Sequence, residues 1–184
     1  MKKLLLFSIT VCLFASCDSP NSSNQNADNK PAEIGSAQMD GMEVMAPLFV
    51  GEISNQQIWL DYIQAHNDKN LEKIAAINAE DWEGYTAEGS VVKGSNAHIE
   101  ILDNWFQSAN PKWEVKWMIA NAVENKDGIV EQWLTTGNDY SDVDEKGNAI
   151  FQHNVHDIQF VDGKIKRINV YKRAKAEESL DFSY

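Results

Sequence analysis

Ile150-Phe151-Gln152-His153-Asn154-Val155-His156-Asp157-Ile158-Gln159-Phe160-Val161-Asp162-Gly163-Lys164-Ile165-Lys166-Arg167-Ile168-Asn169-Val170-Tyr171-Lys172-Arg173 reads as two strands folded back on one another. The Asp162-Gly163 pair makes the fold-back, because this dipeptide accepts the positive φ that both central residues of a type I′ turn require. Working towards the N-terminus, the same period of two continues. Trp113, Val115, Trp117 and Ile119 alternate with polar residues, Asn125 to Gly128 supplies a turn, and residues 129–138 form the next strand. A further turn over Asp144 to Asn148 leads into the strand at Ile150. The second half of the chain is therefore a four-strand antiparallel meander.

Upstream the period changes to that of a helix. Ser54 with Gln57 three residues on reads as a capping box, and Ile58, Trp59, Tyr62, Ile63 and His66 follow at helical spacing, which predicts a helix over about 55–68. Asn70 caps a shorter helix through Leu71, Ile74 and Ala75. Residues 82–87 and 91–93 make a small hairpin. Gly94-Ser95 then opens a third helix carrying Ile99, Leu102, Trp105 and Phe106, stopped by Asn110-Pro111. Helices first and a meander afterwards predict an α+β fold, with about three helices packed on one face of a curved antiparallel sheet.

The N-terminus carries an address. Lys2-Lys3, an apolar run from Leu4 to Phe14 and the small residues before Cys17 have the three parts of a secretory signal, with a core too short to span a bilayer. The cysteine at the cut makes Leu13-Phe14-Ala15-Ser16-Cys17 resemble the lipobox of bacterial lipoproteins, which implies lipid on Cys17, export and anchoring at the cell envelope. The expected organisation is a signal peptide over 1–16, a flexible tether over 17–50 with an apolar strap at 39–50, a domain over 51–175 and a tail over 176–184. Cleavage removes Lys2 and Lys3 from 16 basic residues, leaving 14 against 28 acidic ones, a net charge of -14. Such a chain is repelled by nucleic acid, which needs a positive footprint. Cleavage also removes Cys12, so Cys17 has no partner for an intramolecular disulfide.

The element order, Asp81 after the second helix, Gly94 before the third, and Phe160-Val161-Asp162-Gly163-Lys164-Ile165 together resemble the NTF2-like superfamily, and more narrowly its SnoaL-like branch, over roughly residues 54–173. The resemblance implies a bent sheet wrapped around helices with an apolar pocket at the open end. It also implies a range of activities from isomerases, cyclases and dehydratases to modules without chemistry, and a sheet face that serves as a homodimer interface. By distance from the Asp-Gly turn, Asp157 aligns with an acid that SnoaL-like cyclases use in catalysis.

Strand alternation puts His153, Val155 and Asp157 on one face, and Asn154, His156, Ile158 and Phe160 on the other. The apolar pair places His156 towards the helices, where it is the candidate acid or base. The same count turns Asp157 away from the pocket unless a bulge intervenes. Trp59, Tyr62, Trp82, Tyr85, Trp133 and His156 are the candidate pocket lining, since binding sites are apolar with a few placed polar groups. No metal or cofactor is expected. His153 and Asp157 stand about 13 Å apart on a strand, while zinc needs ligand atoms about 2 Å from the ion. Asp142 to Gly147 resembles the start of an EF-hand loop but carries Lys146 at the fifth position and His153 at the twelfth, and reads as an acidic turn. The basic residues Lys164, Lys166, Arg167, Lys172, Arg173 and Lys175 read as the blunted edge of the last strand. The expected function is binding of a small apolar or amphipathic molecule, or of an envelope protein, without catalysis. The alternatives are an acid–base enzyme using His156 or Asp157, and a dimeric assembly subunit.

Overall fold

The computed structural model describes residues 31–144 and 146–174. The expected signal peptide, Cys17, the first part of the tether, Lys175 and the tail lie outside them. Within them the order is β1 (Glu33–Ala37), β2 (Ala46–Val50), α1 (Ser54–Asn67), α2 (Leu71–Ile77), β3 (Asn78–Tyr85), β4 (Val91–Lys93), α3 (Ser95–Phe106), β5 (Lys112–Glu124), β6 (Val130–Val143), β7 (Ala149–Val161) and β8 (Lys164–Ala174). One curved, unclosed sheet contains all eight strands in the order β1-β2-β5-β6-β7-β8-β3-β4, antiparallel except where β3 runs parallel to β8. No helix among the described residues is long and apolar enough to cross a membrane.

The meander forms as read. Asp162 and Gly163 take φ of +51° and +71°, the left-handed pair that the hairpin demands. Leu134, Ile158 and Ile168 are register partners across β6, β7 and β8, and this buried row supports the helices. Asn70 caps α2, its Oδ1 accepting from the Lys73 N–H at 2.9 Å.

Four expectations change. The capping box at Ser54 is not made: the cap is Ile53 and the first free amides are met by backbone, Asn55 N–H donating to Glu52 and Gln56 N–H to Ile53. The segment expected as tether is structured from Glu33 on, because β1 pairs with β2, while the strap lies on the domain, β2 pairing with β5 with Phe49 opposite Ala122. The alternation Trp113, Val115, Trp117, Ile119 does not share one face. A bulge at Lys116 lets Trp117 rather than Lys116 oppose Gly137, so Trp113 and Val115 pack on the core while Trp117 and Ile119 turn outwards. Finally, β8 is not a sheet edge. Asp81, Glu83 and Glu88, from β3 and the turn after it, pair with Lys166, Arg167 and Lys172 respectively, so the basic residues neutralise a neighbouring acidic segment.

Candidate functional site

The sheet curls around the helices and leaves a cavity of about 500 Å³. Three elements bring its walls together. Helical spacing on α1 stacks Trp59, Tyr62 and His66 along one face. On α3, His98, Leu102 and Trp105 look inwards in the same way. Alternation on β7 sends Gln152, Asn154 and His156 into the same space, and β3 contributes Trp82 and Tyr85.

Aromatic contacts hold these walls. The Trp82 indole stacks on the His98 ring at 3.9 Å and 8°. Tyr62 meets Trp59 at 5.7 Å and His66 at 4.4 Å, and Trp59 meets His156 at 5.3 Å. Beneath them Asn78 ties β3 to both helices. Its Oδ1 accepts the Tyr62 hydroxyl at 3.0 Å, and its Nδ2 donates to Ser95 Oγ and His98 Nδ1, both at 3.2 Å. Burial raises the Tyr62 pKa well above that of a free phenol. The Trp82 indole N–H opposes that rise in part. It leans towards the hydroxyl without reaching hydrogen-bond geometry, and lacks a partner among the described residues.

The imidazoles are neutral at physiological pH. Burial lowers His66 to about 4 against the backbone bond it makes to Tyr62, and lowers His98 and His156 to about 3, with the nearby His66 depressing both further. Around them, Glu88 is the one carboxylate among the described lining residues, and it is engaged by Lys172 across the rim. A second cleft of about 620 Å³, between Glu52, Glu131 and Asp162, has no aromatic wall beyond Phe160.

Five of the six lining residues expected from sequence, Trp59, Tyr62, Trp82, Tyr85 and His156, border the cavity. Trp133 does not: the next residue on β6, Leu134, is fully buried, so alternation turns Trp133 to the other face, where its indole N–H donates to Glu131 at 3.1 Å. Asp157 also lies on that face. The register irregularity near the turn places an extra residue, Lys166, in β8, so β7 alternates without a break and the Asp157 carboxylate accepts from the Thr135 hydroxyl at 2.7 Å. His153 is there too, 3.0 Å from Asp139. Sequence reading missed His98, Trp113 and Tyr140 as lining residues, and took His66 only as part of a helix face. The signal for His98 was its spacing of four and seven residues from Leu102 and Trp105.

No family model and no curated protein matches the sequence. Solved structures do match by shape. A ketosteroid isomerase-like protein from Kribbella flavida gives a TM-score of 0.53 over 70% of this chain and 84% of its own, at 13% identity. An LEH-like epoxide hydrolase from M. tuberculosis gives 0.55 over 65% and 82%, at 12% identity. TerC, co-crystallised with polyporic acid, gives 0.51 over 65% and 91%, at 16% identity. Its structural neighbours are NTF2-like and SnoaL-like proteins, and the chain has their fold, an NTF2-like α+β cone.

Proposed function

We propose that this chain is a non-catalytic binding protein of the cell envelope, anchored by lipid on Cys17, whose cone takes a small apolar or amphipathic molecule. The observation that carries the reading is the aromatic cavity itself, walled by Trp59, Tyr62, Trp82 and Tyr85, with its imidazoles bonded to amides and a carbonyl rather than to carboxylates. The envelope address rests on the Leu13–Cys17 sequence.

An acid–base enzyme is the weaker reading. A base of pKa about 3 is a poor proton acceptor at neutral pH. The acid that the family resemblance would supply, Asp157, faces the opposite side of the sheet. Screening the purified protein with apolar small molecules is expected to give ligands that quench tryptophan fluorescence and raise Tm. Trp59→Leu is expected to weaken them at least tenfold, since the indole supplies a large share of the buried apolar contact. A screen without responders, or responders indifferent to Trp59→Leu, removes the reading.

A second reading, pairing of two copies through the outer sheet face, is favoured by one row of residues. Trp117, Gly137, Val155 and Tyr171 are register partners on the face turned from the helices, and Trp117 and Tyr171 remain 39% and 56% exposed, beside Ile119 at 52%. Light scattering is expected to give a dimer mass that Trp117→Glu converts to monomer. A monomer at every concentration removes this reading.

A further inference from the structure

Each imidazole in the cavity has its Nδ1 taken by a partner that dictates where the ring proton sits. His66 Nδ1 is 2.8 Å from the Tyr62 carbonyl oxygen, which only accepts, so the proton is on Nδ1 and Nε2 carries a lone pair. His98 Nδ1 faces the Asn78 NH₂, whose orientation follows from Asn78 Oδ1 accepting the Tyr62 hydroxyl. His98 Nδ1 is therefore the acceptor, and its proton is on Nε2. His156 Nδ1 likewise accepts from Asn138 Nδ2 at 2.9 Å, which puts its proton on Nε2. Among the described residues none of the three Nε2 atoms is given a hydrogen bond, and all three rings border the cavity. Burial keeps every ring neutral. His66 and His98, with ring centroids 5.9 Å apart, thus set an acceptor beside a donor.

The geometry points to recognition of an uncharged hydroxyl compound, an alcohol or phenol with an apolar body, whose hydroxyl donates to His66 Nε2 and accepts from His98 Nε2–H. This rests on the reading of the cavity as a ligand site. His156 Nε2–H is left for a second acceptor oxygen on the same molecule. The complementary exclusions follow from desolvation. A carboxylate entering the cavity finds no free cation, since Lys172 at the rim is bonded to Glu88, and an ammonium finds no free anion. An ether fills the donor but leaves the His66 lone pair facing apolar surface, and an unmet buried acceptor costs more than a lost contact.

Four probes of one skeleton separate these claims: naphthalene, 2-naphthol, 2-methoxynaphthalene and 2-naphthoate, titrated calorimetrically into the purified protein at pH 7.5. The expected order is 2-naphthol tightest, the ether about tenfold weaker for want of a donated proton, and 2-naphthoate weakest. His66→Phe keeps a ring beside Tyr62 and removes the acceptor, and is expected to level naphthol with its ether while naphthalene binding persists. His98→Phe removes the donor that both oxygens use and is expected to weaken the two alike. If the ether or the naphthoate matches naphthol, or if His66→Phe retains the preference, the hydroxyl assignment falls and the apolar site stands. If none of the four binds, both fall. Should His66→Phe not fold, the order of the four probes on the native protein decides.

Discussion

Acidification from pH 7 to about 4 is expected to unfold this domain cooperatively. His66, His98 and His156 have native pKa values of about 4, 3 and 3, held down by burial and, for the latter two, by His66. In the unfolded chain each returns to about 6.5. The sign follows from linkage. Between the two values the unfolded state binds more protons, so stability is fully present above pH 6.5 and is lost as pH falls towards the native values. Each pKa unit is worth about 1.4 kcal/mol, so each ring loses about 3 kcal/mol between pH 7 and 4, and the three together about 9. That is the size of a whole domain's stability, about 5–15 kcal/mol. Lys166 beside Asp81, Lys172 beside Glu88, and the Tyr85 hydroxyl followed by Arg167 and Lys93 beside Glu83 hold these carboxyls below the ordinary range and add to the same trend at lower pH, but solvent screens the ion pairs. Urea midpoints measured from pH 8 to 4 are expected to fall steadily below pH 6.5. His156→Gln, which removes one titrating ring, is expected to flatten the slope by roughly a third. A midpoint constant from pH 7 to 4 would show that these rings are hydrated and that burial does not hold them neutral.

How much of this was readable beforehand depends on whether the signal was local. Asp162-Gly163 states its own backbone geometry, and the stripe Trp59, Tyr62, Ile63, His66 states a helix face, so meander and helices follow from neighbours in sequence. The strands β1 and β2 do not, because β2 joins the sheet through β5 some seventy residues away and β1 is held only by β2, and a Ser-, Asn- and Pro-rich approach hides them. The bulge at Lys116 is equally silent: one extra residue reverses the face of Trp117 and Ile119 with no change in composition. For the site, alternation placed His156 correctly, and it placed Asp157 outside even though family resemblance argued otherwise. Trp133 misled because aromatic character was weighed above the pleat, although the adjoining Leu134 competes for the interior. His98 escaped because the apolar stripe of α3 was counted from Ile99, and a lone histidine beside a stripe has no mark of its own.

Gly84→Ala is expected to damage the fold and the site together, because the added methyl meets an indole that walls the cavity. On β3, Gly84 lies two residues beyond Trp82 and therefore on the same face, and the indole is laid flat along the strand over it. A Cβ at residue 84 would sit 2.3 Å from Trp82 Cη2 and 2.9 Å from Cζ3, closer than real contacts allow. The ring cannot yield in place. Trp82 is 4% exposed and its other face is against His98 at 3.9 Å, so relief means leaving the stack and either entering the cavity or opening β3 from α3. Overpacking of this kind costs about 1–3 kcal/mol, equivalent to roughly 3–10 °C in Tm for a domain of this size. Ligand affinity is expected to fall at least tenfold, because the displaced indole occupies the site or takes the His98 donor with it. Gly89→Ala is the control: its φ of +88° brings a backbone penalty that Gly84 does not carry, but no atom lies within 4 Å of the added carbon. It is expected to lower Tm slightly and to leave binding alone. A double variant settles the cause, since Trp82→Leu frees the space and is expected to make Gly84→Ala nearly neutral in that background, a coupling of about 1–3 kcal/mol between neighbours. If Gly84→Ala is as mild as Gly89→Ala, or if its cost persists with Leu at residue 82, the indole is not seated over Gly84 and the aromatic wall of the cavity is misplaced.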